Sequence, residues 1–309
     1  MMIGLFKSLS VLAAAALLSA CATDLTQARS PCLRDPGGWC GFTREFAVRT
    51  WEYGQLSNDA YDDETKFASL PQGIVLVRNS DNDRSGFAYS VFDRMENGQR
   101  VERIIAFRGT ESSISDWFSG NFGGKHKERG KELYRLERAA LDSDGHHDIP
   151  IKLTGHSLGG AIAADIALGD DAVDSFAFNQ APNFDVPPNP SQSEHLVVIE
   201  RGEALAGVRG LFGNTPQEML VINCRPRGAP WKDHSIRRLS ECLTWIAAYN
   251  DPRAFASVTA NKIKKPWVEC GQREDPHPGP DIQKGRSSIL CHHKPKFREK
   301  HRSGPRAKD

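Results

Sequence analysis

The chain has 309 residues, enough for one large domain or two small ones with a sizeable buried core. Hydrophobic residues make up 39% and charged residues 26%, which excludes a wholly disordered or collagen-like chain. Forty Lys and Arg balance 39 Asp and Glu, so no global positive field points to nucleic acid as a partner.

Residues 1–20 read MMIGLFKSLSVLAAAALLSA, with Lys7 as the one charge and an apolar run from Leu9 to Leu18. That run is shorter than the ~20 residues of a membrane span and fits the apolar region of a secretory signal peptide. Leu18-Ser19-Ala20-Cys21 resembles a bacterial lipobox. The resemblance implies a lipidated Cys21 as the first mature residue and membrane attachment through that lipid. Ala22 behind it, rather than Asp, implies the outer membrane. Six further cysteines remain, and an even number in an exported chain suggests disulfides. Of the possible pairings, sequence neighbours are expected to join: Cys32–Cys40, Cys224–Cys242 and Cys270–Cys291. CxxC spacing is absent, so no zinc site is expected.

Residues 22–45 are rich in Pro, Gly, Thr and charge and read as a tether and surface loop. Phe46, Val48, Trp51, Leu56 and Tyr61 give helical spacing over 46–62. Gly73–Val77 and Phe87–Phe92 are short β-rich runs, with a turn over Asn79–Arg84. Ile104–Phe107 is an apolar run suited to a strand buried on both faces. A helix is expected over Glu128–Leu141, a strand over Ile149–Leu153, and a small-residue helix over Ala161–Leu168 that stops at Gly169. Phe176–Phe178, Leu196–Ile199 and Leu220–Ile222 continue the strands, and His234–Tyr249 carries an apolar stripe of helical period. Strands alternating with helices predict an α/β domain with a mainly parallel central sheet flanked by helices. The expected division is a signal peptide over 1–20, a tether over 21–45, the α/β domain over 46–250 and a Cys-containing extension over 251–309. The last 18 residues, His292–Asp309, hold seven Lys or Arg against two acids. A solvated tail is the expected reading, with anionic lipid headgroups as its alternative contact.

Chemistry enters at Ile151–Gly160, I-K-L-T-G-H-S-L-G-G. An apolar strand precedes this G-x-S-x-G and a small-residue helix follows, which is the context such a motif requires. In that turn the Ser157 hydroxyl is projected outward, the flanking glycines let strand and helix approach, and the Leu158 N–H opens a helix N-terminus that favours developing negative charge.

A second motif, I-I-A-F-R-G-T over Ile104–Thr110 with Asp116-Trp117 behind it, lies 47 positions before Ser157. Together the two motifs resemble the class 3, fungal-type lipase family of the α/β-hydrolase fold, over about Gly73–Asn250. The resemblance implies Ser157 as nucleophile and an oxyanion hole from Thr110 and the Leu158 N–H. Asp116 is expected to brace the oxyanion loop or cap a helix. Ser119–Lys127 occupies the place of the family's lid, but is short and polar and is expected to be a flexible rim.

Chain order in this fold is Ser, acid, His, which leaves six histidines after Ser157. His234 lies in a loop just before an apolar helix, where the family places its base. His195, His277 and the tail histidines fit less well. The family's acid follows the strand after an F-G-x-P turn, which Phe178–Pro182 resembles. Glu203 falls at that place with Glu instead of Asp; Glu200 and Asp185 are its rivals. The reading is a serine hydrolase of carboxylic esters, by resemblance lipid esters, needing no cofactor or metal and anchored in a bacterial envelope. The alternatives are a catalytically silent envelope-binding lipoprotein on the same fold and an acyltransferase using the same triad.

Overall fold

A computed structural model of the protein describes residues 30–32, 35–61, 65–80, 86–109, 122–182, 184–209, 216–225 and 230–269. Cys21, Thr110, Asp116, Cys270 and Cys291 lie outside them, as do the signal peptide and the basic tail.

The sheet has seven strands in sequential spatial order: β1 Ile74–Asn79, β2 Tyr89–Glu96, β3 Gln99–Phe107, β4 Ile151–His156, β5 Asp174–Phe178, β6 His195–Glu200 and β7 Glu218–Ile222. β1, β2 and β3 pair antiparallel, and every pairing from β3 to β7 is parallel. This is the mainly parallel α/β arrangement expected. Side chains along β3 alternate between two cores. Ile104 and Ala106 join one that includes Trp51, Phe176, Phe178 and Trp245, while Ile105 and Phe107 join another with Leu133, Leu153 and Ile162.

Helices cover both faces. α1 Gly41–Asp59, α6 Ile236–Ala247 and α7 Pro252–Ala260 pack on the first core; α2 Phe122–Ser143 and α3 Leu158–Ala167 pack on the second. Two short helices, α4 Ala206–Arg209 and α5 Pro230–Asp233, lie in the loops after β6 and β7. α1 is buried on most sides and carries polar residues inward, several of them hydrogen-bonded across the core. Gln55 Nε2 donates to Thr244 Oγ1 at 2.9 Å and to Ser257 Oγ at 2.8 Å, and Ser240 Oγ donates to the Gly54 carbonyl at 2.7 Å.

Several limits differ from the sequence reading. α1 starts at Gly41, ahead of residue 46, because the Cys32–Cys40 disulfide and the turn Pro36–Gly38 deliver the chain straight into it. β3 reaches back to Gln99 through a hairpin at Asn97-Gly98, both at positive φ (50° and 77°). α2 starts at Phe122, so the second half of the expected rim is helical despite Gly123-Gly124. Lys127 in this first part pairs with Asp165 and Asp185, each at 3.3 Å. The chain beyond residue 250 packs into the first core through Ala254, Val258, Ile263 and Val268. Asp251, at the α7 N-cap, accepts from Trp51 Nε1 at 3.0 Å, and buried Glu269 accepts from Trp39 Nε1 at 2.9 Å and Trp245 Nε1 at 2.6 Å. These partners are distant in sequence, which hides the packing from a local reading. Cys32–Cys40 and Cys224–Cys242 are both joined, as the neighbour pairing expects.

Candidate active site

The site is built at the carboxyl ends of the parallel strands, where loops leave the sheet. β4 ends at His156, Ser157 turns the chain, and α3 begins at Leu158. Ser157 has φ 54° and ψ −119°, a conformation that costs a residue with a side chain of order 1–3 kcal/mol. The surroundings hold it there. The Ser157 N–H donates to the Phe178 carbonyl at 3.0 Å, and the Ser157 carbonyl accepts from Ala181 N–H at 3.0 Å and Ala161 N–H at 3.2 Å. The glycines around it are required by close approach. A Cβ on Gly155 would overlap the Gly159 backbone, and one on Gly159 would overlap the Phe107 carbonyl. The Leu158 N–H is the first of α3, where no intrahelical acceptor exists.

His234 follows α5. Its Nε2 lies 3.0 Å from Ser157 Oγ and its Nδ1 lies 2.6 Å from Glu203 Oε2. An ionised carboxylate only accepts, so Nδ1–H donates to Glu203 and a neutral ring leaves Nε2 free to accept the Ser157 hydroxyl proton. Glu203 stands just past β6. Its side chain is fully buried, its Oε2 also accepts the Leu205 N–H at 2.9 Å, and its Oε1 accepts from Arg209 Nη1 at 2.7 Å. Burial alone would raise this carboxyl. The hydrogen bond to His234, the Arg209 charge and the Leu205 amide outweigh it and hold the group below its ordinary value.

The rivals are engaged elsewhere. Glu200 Oε1 accepts the Cys224 N–H at 2.9 Å. Burial pushes its carboxyl up to about 8, helped by the negative charges of Asp233 and Glu203, so at neutral pH it is largely protonated. Asp185 is exposed and pairs with Lys127. His195 starts β6, with Nδ1 3.0 Å from Ser175 Oγ.

Three participants were not read from sequence. Arg209 is one; it also donates twice to the Gln180 carbonyl, at 2.9 and 2.8 Å. Asn179, at φ 43°, accepts the Glu200 N–H at 2.8 Å and donates to the Asp233 carbonyl at 3.3 Å, joining β6 to the base loop. Asn tolerates the left-handed region, and its place in the Phe178–Pro182 turn was the available signal. Tyr61, just past α1, is the third. The Gly109 N–H donates to the Tyr61 hydroxyl at 3.1 Å, that hydroxyl is 2.8 Å from His156 Nδ1, and His156 Nε2 is 2.7 Å from the His234 carbonyl. The carbonyl can only accept, so His156 donates from Nε2 and accepts the Tyr61 proton at Nδ1. Burial, then the neighbouring His234, hold His156 well below the usual histidine range, so it stays neutral. Gly109 immediately precedes Thr110, so this one-way chain of protons ties the end of the β3 segment to the base loop.

No known family's model matches the chain, and no curated protein matches it. Among solved structures it is similar to a lipase from Rhizopus microsporus var. chinensis, with 14% identity and a TM-score of 0.44 over 60% of this chain and 76% of that one. It is similar to lipase II from Rhizopus niveus, with 13% identity and a TM-score of 0.44 over 60% of this chain and 82% of that one. It is also similar to a triacylglycerol lipase from Penicillium expansum, with 13% identity and a TM-score of 0.41 over 58% of this chain and 78% of that one. Likeness at this distance says nothing of substrate.

Proposed function

We propose that the protein is a serine hydrolase of carboxylic esters, with Ser157 as nucleophile, His234 as general base and acid, and Glu203 as the group that orients the imidazole. The observation that carries this is the continuous line Ser157 Oγ, His234, Glu203, with separations of 3.0 and 2.6 Å, standing on a strained strand-to-helix turn.

Each step uses an atom of that line. Ser157 Oγ attacks the ester carbonyl carbon as its proton passes to His234 Nε2. Glu203 faces the imidazolium that results. The tetrahedral oxyanion forms beside the Leu158 N–H, with Thr110 as the second donor on the motif's resemblance; one such donor is worth roughly 3–4 kcal/mol in the transition state. Collapse breaks the ester C–O bond, and His234 gives its proton to the leaving alcohol. Water then attacks the acyl-enzyme, passes a proton through His234, and releases the acid and free Ser157. Lipid esters are the proposed class, from the paired R-G-T and G-H-S-L-G-G motifs and the lipobox. Attachment of Cys21 lipid to a bacterial outer membrane belongs to the same proposal and is tested by palmitate labelling of the parent and Cys21→Ser.

The test is fluorophosphonate labelling together with hydrolysis of p-nitrophenyl esters of graded chain length. The parent labels and turns over, Ser157→Ala does neither, and long chains are preferred. A folded parent that neither labels nor hydrolyses any ester overturns the reading and leaves a binding module on this fold.

A further inference from the structure

A cavity of about 280 Å³ lies beside the Cys224–Cys242 disulfide and is unused by the chemistry above. Its walls are the residues just after β7, the first half of α6 and the segment Lys264–Trp267. Arg225, Arg238 and Lys264 reach it as exposed side chains, and Lys265 lies deeper. The one acid among the lining residues, Glu241, accepts from Arg237 Nε at 2.9 Å, so part of its charge is already answered. The chain as a whole carries only +1, which makes this concentration of cations a local departure.

The walls are fixed before any ligand arrives. The disulfide ties the end of β7 to α6. The 264–267 segment is held by Glu269, two residues on, through Trp39 and Trp245. Backbone walls tied in this way bring the cations together without the ordering cost of a flexible loop. Trp267 stands at the rim and is 61% exposed, offering an aromatic face beside the charges.

We propose that this groove is a binding site for a phosphate-bearing anion that also carries an apolar or planar part. A carboxylate is satisfied by a single guanidinium fork. Lys265 already faces buried Glu269, but two arginines with Lys264 match the larger charge and the several acceptor oxygens of a phosphate. Trp267 supplies the contact for the uncharged part. The groove adjoins the base loop, since Arg238 Nη1 donates to the Lys232 carbonyl at 3.3 Å, two residues before His234. The site stands independently of whether Ser157 is a nucleophile, and its test reads binding alone.

The experiment is calorimetric titration of the full chain with three probes: inorganic phosphate, glycerol 3-phosphate, and a short-chain diether phosphatidylglycerol kept below its micelle concentration. The ether links prevent hydrolysis. At least one probe binds saturably, and Arg238→Gln with Lys264→Gln weakens it at least tenfold, more so at low salt. Glycerol 3-phosphate binding as tightly as phosphatidylglycerol, and at least tenfold more tightly than inorganic phosphate, identifies a soluble phosphorylated solute. Equal affinity for all three shows that the uncharged part makes no contact and overturns the proposal. A phosphatidylglycerol affinity at least tenfold above the others, lowered by Trp267→Ala, identifies a lipid headgroup. The basic tail is the same in every variant, so its own attraction for anions cancels. Lys264→Glu alone serves where the double variant does not fold. No saturable binding of any probe, or unchanged binding in the folded variants, overturns the proposal.

Discussion

Arg209 and His234 hold opposite oxygens of one carboxylate: Arg209 Nη1 is 2.7 Å from Glu203 Oε1, and His234 Nδ1 is 2.6 Å from Oε2. The carboxylate therefore cannot rotate without breaking a charge-assisted bond. Arg209 is in turn fixed by the Gln180 carbonyl, in the turn that also holds Ser157. The orientation of the Glu203 carboxylate and the placement of Ser157 thus share one support.

Removing Arg209 takes away one of the causes that keep the Glu203 carboxyl low. In Arg209→Gln the carboxyl takes up its proton at a higher pH, and a protonated Glu203 accepts the His234 N–H poorly. Ester turnover should fall about tenfold at neutral pH, and loss of activity on acidification should set in at a higher pH than in the parent. A pH profile of kcat/KM reads both effects. A variant with the parent's acid limb would show that Arg209 has no hold on the acid.

Tyr61 joins Gly109 to His156, and His156 joins the His234 carbonyl. Tyr61→Phe keeps the ring and deletes the link, leaving a backbone N–H and a ring nitrogen without this partner. The expected result is a fall in kcat of roughly tenfold with KM little changed, since the reacting groups lose alignment while the substrate surface is intact. In a double-mutant cycle with His156→Gln the two losses should not add, because both break one chain. Additive losses would mean that the two side chains act separately.

Glu200 gives a pH effect on stability. Its carboxyl is raised to about 8 in the fold, against 4.5 as its ordinary value. Below the ordinary value both states hold the proton and the shift has no effect. Between there and about 8 the unfolded chain has lost the proton and the fold retains it, so stability falls as pH rises, by an amount on the order of a few kcal/mol. Glu200→Gln removes this penalty. Thermal melts should show the variant gaining on the parent from pH 5 to pH 8.5 and then running level. A constant gap across that range would contradict the raised value.

Gly159→Ala tests the close approach of helix and strand. The added methyl would overlap the Phe107 carbonyl, which β3 cannot move without losing its pairing to β4. The variant should lose several kcal/mol by denaturant melt along with Ser157 labelling. Gly207→Ala, where a Cβ meets open space, is the control and should unfold like the parent.

What the sequence by itself determined is whatever depends on neighbours along the chain. The β4–Ser157–α3 turn is legible because its glycines, serine and apolar flanks stand within ten residues and the backbone there admits few alternatives. The inner strands are legible as apolar runs, since burial on both faces leaves polar side chains no partner. The two observed disulfides close short loops, 8 and 18 residues apart. The tertiary structure set Glu203 rather than Glu200 against His234, though the two are three positions apart and chemically alike. The turn at Arg201-Gly202, with Gly202 at φ 79°, and the Leu205 amide aim Glu203 at His234, while Glu200 ends inside the sheet against the Cys224 amide. It also chose Tyr61 and Arg209, and it drew residues 251–269 into the core. Each of these rests on a polar or buried contact between distant segments. Such a contact has no period and no local signature, and its partner exists only once the sheet has brought the segments together.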